Sequence, residues 1–153
     1  MTRYIIELQA DVDTAGIDSH ELERVAERAL EAEGVAKPTE LSVMLADDAT
    51  VRELNHRYRD TDAATDVLSF SQAEGDDFAQ PEGTAPHLGD VIISVDTARR
   101  QAAEFGVPLQ DEVAHLLVHG VLHLLGYDHE APDDERVMRL REDAVLGDSA
   151  HHH

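Results

Sequence analysis

Apolar residues recur along this chain with two periods. From Arg3 to Val12 they alternate with polar ones through Tyr4, Ile6 and Leu8, which predicts a strand buried on one face. Glu40 to Ala46 alternates again through Leu41, Val43 and Leu45. Asp66 to Ser71 and Asp90 to Ser94, rich in Val, Ile, Leu and Phe, predict two further strands. Elsewhere the spacing is helical. Leu22, Val25, Ala26, Ala29 and Leu30 follow the capping residues Asp18 and Ser19, and Gly34 ends the run. Asp47 and Asp48 precede a helix carrying Val51, Leu54 and Tyr58. Asp96 to Phe105 reads as a helix stopped by Gly106, and another begins near Pro108 to Asp111. Pro132 to Leu146 reads as a last amphipathic helix with proline in its first turn. Four strands and about five helices in mixed order predict an α+β class: one small domain over residues 1–148, with helices packed on a mixed four-stranded sheet. Ala73 to His87 is the one long irregular stretch, either a rim over a functional site or plain disorder. Residues 149–153 end in three histidines and read as a tag remnant, set apart from the chemistry.

Composition narrows the chemistry. There are no cysteines, so any metal must be held by His, Asp or Glu, and disulfides are excluded. No apolar run is long enough to span a bilayer, and the N-terminus lacks the apolar core of a signal peptide. A cytoplasmic enzyme without a membrane partner is expected. Thirty-three acidic residues face twelve basic ones, a formal net charge of -21. Lys37 is the only lysine. Such a charge repels itself in dilute buffer, whereas at molar salt the Debye length falls to about 3 Å. The balance suggests a salty cytoplasm. It also works against a phosphate backbone, so any nucleic-acid contact must rely on locally clustered arginines or on high salt.

The densest chemistry lies at H-G-V-L-H-L-L-G-Y-D-H, His119 to His129. Residues four apart on a helix share a face, so His119 and His123 can aim two imidazoles at one point. Gly126 stands where the helix should end, because glycine accepts the left-handed backbone of a C-terminal cap. The returning chain can then bring His129 to the same point. Three imidazoles with an open fourth position are the arrangement of catalytic zinc. His115, one turn earlier on the same face, either replaces a ligand, supports one from behind, or fills the core. The spacing is that of the metzincin proteases, with one difference. Those enzymes place their general-base glutamate directly after the first histidine, where this chain has Gly120. A metal-dependent hydrolase is expected, and a protease is not.

A second segment, Asn55 to Phe70, places Arg57, Tyr58 and Arg59 at a helix end before a loop into a strand. Adjacent arginines there either bind an anion through their planar forks or pair with Asp60, Asp62 or Asp66.

Three stretches together resemble the YbeY endoribonucleases, the bacterial ribosomal-RNA maturation factors: Tyr58 to Phe70, Leu88 to Ser94 (L-G-D-V-I-I-S) and His115 to His129. The resemblance spans nearly the whole domain. It implies a single-strand-specific, metal-dependent endoribonuclease that matures the 3′ end of the small-subunit RNA and serves ribosome quality control. It implies zinc held by His119, His123 and His129, a functional Arg59, and single-stranded ribosomal RNA and the small ribosomal subunit as partners. Ser71 stands where the family often has proline. Asp128 and Asp66 are candidates to orient ligand imidazoles. Two other readings stay open: a metzincin-like protease lacking its usual base, and a non-enzymatic assembly factor with a structural metal.

Overall fold

A computed structural model describes residues 4–71, 86–127 and 132–147. Among them lie four strands and five helices: β1 (Tyr4–Ala10), α1 (Ser19–Ala32), β2 (Thr39–Ala46), α2 (Asp48–Arg59), β3 (Val67–Ser71), β4 (His87–Ser94), α3 (Val95–Phe105), α4 (Leu109–Leu124) and α5 (Pro132–Leu146). The sheet runs β1-β2-β4-β3. β2 is parallel to both β1 and β4, and β3 is antiparallel to β4. The α+β reading, with one mixed sheet and five helices, is borne out.

Local chemistry accounts for the boundaries. Asp18 caps α1 by accepting from the Glu21 N–H, Asp47 caps α2 at Thr50, and Ser94 caps α3 at Thr97. The first strand is shorter than the alternation suggests, ending at Ala10. β4 begins earlier than expected, at His87 rather than Asp90. Residues 73–85 of the irregular stretch lie outside the described residues.

The sheet has two unlike faces. Leu41, Val43 and Leu45 of β2 point to one face, where they meet α1, α4 and part of α3 and α5 in the main core. Ala46, Leu68 and Ile92 point to the other and make a small cluster with Val51 of α2. The buried residues of α4 run from Glu112 to Leu124 around nearly its whole circumference. A helix apolar all round belongs at the centre of a fold. The histidines therefore ride on a helix packed between the sheet, α1, α3 and α5.

Candidate active site

His115, His119 and His123 fall on one face of α4 and line a cavity of about 580 Å³. Its other walls come from β3 and α5. The His119 and His123 rings stand 4.9 Å apart, centroid to centroid, at 66°. The end of α4 follows the expected glycine chemistry. Gly126 has φ +100°, its N–H donates to the His123 carbonyl, and the Tyr127 N–H donates to the Leu122 carbonyl, each at 3.0 Å. This is a Schellman closure, which satisfies the last carbonyls and turns the chain back. Tyr127 then donates its hydroxyl to Glu33 Oε1 at 2.6 Å, and Arg141 Nε donates to Glu33 Oε2 at 2.6 Å. The bond to Glu33, helped by burial, raises the Tyr127 phenol above its ordinary pKa. The turn is thus tied to α1 and α5. His129 and Asp128, which come next, lie outside the described residues.

Behind the imidazoles sits a carboxylate absent from the sequence reading. Glu142 of α5 is only 3 % exposed. Its Oε2 lies 3.0 Å from His119 Nδ1, and its Oε1 lies 3.8 Å from Nε2 of the buried His115. An ionised carboxylate only accepts, so in this contact it pairs with the His119 tautomer that has its hydrogen on Nδ1 and its lone pair on Nε2. Carboxylates hold metal-ligating imidazoles in this way. Asp66, a candidate for such an orienting group, lines the same cavity and accepts from Gln101 Nε2 at 3.3 Å. Among the described residues no three His, Asp or Glu side chains are grouped to hold an ion. Two adjacent rings, one backed by a carboxylate, fit two positions of a three-histidine site whose third member would be His129.

The two arginines of α2 separate. Arg57 pairs with Glu53 at 2.9 Å, one helical turn away. It does not take the aspartates considered for it. Arg59 ends α2, where Asp60 takes the left-handed backbone (φ 55°). Its Nη2 donates to the Ser69 carbonyl at 2.6 Å, and its guanidinium lies 5.0 Å from the Phe70 ring centroid. It lines the histidine cavity, whereas Arg57 does not. β3 is the shared support, since Ser69 Oγ also donates to the Gly120 carbonyl at 3.0 Å.

Gly120 packs tightly against the sheet. A Cβ there would stand 2.6 Å from Val91 Cγ1 and 3.2 Å from Val67 Cγ2. The position faces the sheet, with no room for a glutamate. The family described as Endoribonuclease YbeY matches residues 7–150. The chain belongs to the YbeY endoribonuclease family. A YbeY endoribonuclease of Roseiflexus castenholzii is 48 % identical over 134 residues, covering 87 % of this chain and 84 % of that one. One from Moorella thermoacetica is 52 % identical over 129 residues, covering 82 % of each. The solution structure of TM1509 from Thermotoga maritima shares the fold, with a TM-score of 0.57 at 24 % identity over 94 % of this chain and 90 % of that one. The YbeY family is one of nucleases, and membership favours that chemistry over the peptidase reading. No helix among the described residues is long and apolar enough to cross a membrane.

Proposed function

We propose that this chain is a zinc-dependent endoribonuclease that cuts single-stranded ribosomal RNA in the cytoplasm, matures the 3′ end of the small-subunit RNA and takes part in ribosome quality control. The observation that carries this reading is one cavity lined by His119, His123, Glu142 and Arg59 in a member of the YbeY family. His119, His123 and His129 would hold the ion. When bound, zinc would supply Lewis acidity, making hydroxide available near neutral pH and offsetting charge on the phosphoryl group.

The protein's own part is positioning and electrostatics. Glu142 holds the His119 ring at Nδ1. Arg59, anchored on the Ser69 carbonyl and packed on Phe70, holds a rigid planar cation at the cavity wall. That fork matches a phosphate geometrically and stabilises the charge that develops on its oxygens during cleavage. Elemental analysis of untagged protein, paired with a single-stranded RNA cleavage assay, tests the reading. His119→Ala should lose bound metal and cleavage together. Arg59→Glu should keep the metal and lose cleavage. Normal cleavage by Arg59→Glu would remove its role, and metal-free protein that cuts RNA at the full rate would overturn the metal reading.

A further inference from the structure

The second face of the sheet carries a groove of about 660 Å³, separate from the histidine cavity. Strand register sets its floor. Glu7 lies opposite Ser42, Ser42 opposite Asp90, and Asp90 opposite Phe70, one row across all four strands. Two carboxylates and a hydroxyl therefore share a line with an aromatic ring. α2 supplies one wall through Leu54, Tyr58 and Arg59. Tyr58 is 61 % exposed. Its ring meets Phe70 edge-on at 5.5 Å between centroids, so it is oriented while most of its surface stays in solvent. Arg59 and Ser71 line both the groove and the histidine cavity. A strand passing from one to the other crosses the Arg59 guanidinium.

We propose that this groove is a base-selecting subsite for single-stranded RNA. One base stacks on Tyr58 and turns its edge to the carboxylates of Glu7 and Asp90, with its phosphate at Arg59. The inference rests on the endoribonuclease reading above and extends its site. A carboxylate accepts hydrogen bonds and donates none when ionised. It matches the exocyclic amino group of cytosine, as acidic side chains do in groove readout. Uracil offers a carbonyl at that position and is disfavoured. The same acidic floor repels phosphate and confines the backbone to the arginine rim. Stacking on an aromatic ring tolerates any base, so Tyr58 supplies affinity and the carboxylates supply choice.

The test is equilibrium binding of labelled octacytidylate and octauridylate to the full chain by fluorescence anisotropy, with cleavage scored on the same samples. Octacytidylate should bind roughly five- to a hundredfold more tightly. Combined Glu7→Gln and Asp90→Asn should bring the ratio close to one. Tyr58→Ala should weaken both oligomers by roughly five- to a hundredfold and keep the ratio, while Tyr58→Phe should bind as the parent does. These positions are exposed or half-buried, and melting curves will verify that each variant folds. Equal affinities in the parent, a ratio that survives the double substitution, or unaltered binding by Tyr58→Ala would each overturn the subsite. Selective binding without cleavage fails the nuclease reading and leaves the subsite standing. Cleavage without selectivity fails the subsite alone.

Discussion

Glu142 determines what the paired imidazoles can do. Enclosed beside His119 and His115, it holds the His119 ring through the 3.0 Å contact at Nδ1. Losing such a carboxylate typically costs ten- to a hundredfold in metal affinity. Glu142→Gln, which keeps the shape, should therefore bind zinc about ten- to a hundredfold more weakly in competition with a chromogenic chelator, while far-ultraviolet circular dichroism stays unchanged. An undiminished affinity would mean that Glu142 serves packing alone. His119 and His123 could be read from the sequence because helical spacing is a local property. Glu142 could not, because its partner is 23 positions away and only tertiary packing joins them. A trace of it was present. Glu142 falls four residues after Met138 and three before Val145, both buried, so a carboxylate interrupts the apolar stripe of α5. For Arg57 and Arg59 the sequence offered an anion or the nearby aspartates, whereas Arg57 pairs with Glu53 of its own helix and Arg59 donates to the Ser69 carbonyl of β3.

The next scale is the seating of α4 on the sheet. Gly120 lets the helix backbone approach Val91, Val67 and Ser69 closely. Gly120→Ala should destabilise the fold by about 1–3 kcal/mol, the usual cost of overpacking, in denaturant melts. A neutral result would mean that the neighbours yield freely. A second joint links α2, β4 and α3. Asp48 accepts from Ser94 Oγ at 2.5 Å, Thr97 Oγ1 at 2.7 Å and Arg100 Nη2 at 2.9 Å. Burial pulls its pKa upward, but these bonds together hold it below the ordinary carboxylate value. A lowered folded pKa adds stability that is complete above the unfolded value near 3.9 and is lost as pH falls through the folded one. Asp48→Asn should thus be less stable than the parent at neutral pH and decline less steeply below about pH 4, as urea melts over that range will show. The elements themselves were legible because period and caps are written locally. The start of β4 was not. Gly89 looks like a break, yet it continues the strand at φ +154°, where a Cβ would stand 2.4 Å from the Phe70 carbonyl oxygen. A glycine that permits strand approach and one that ends a strand look the same without the partner strand.

For the molecule as a whole, charge sets the operating conditions. A net charge of -21 strains the compact state wherever screening is weak. The melting temperature should rise steeply from low to molar salt, as the Debye length shrinks to about 3 Å. A flat or falling response in scanning calorimetry would count against an origin in a salty cytoplasm. The composition disclosed the total charge but not its placement, and placement matters for binding a polyanion. His56, Arg57 and Arg59 stand in the last turn of α2, and of the three only Arg59 lines both cavities. One further consequence follows from α5. It comes after every other element lining the histidine cavity in chain order, so a ribosome emits the wall that carries Glu142 only after β3 and α4 have left the tunnel. A nascent copy therefore lacks the wall of that cavity which carries Glu142 until α5 has been synthesised.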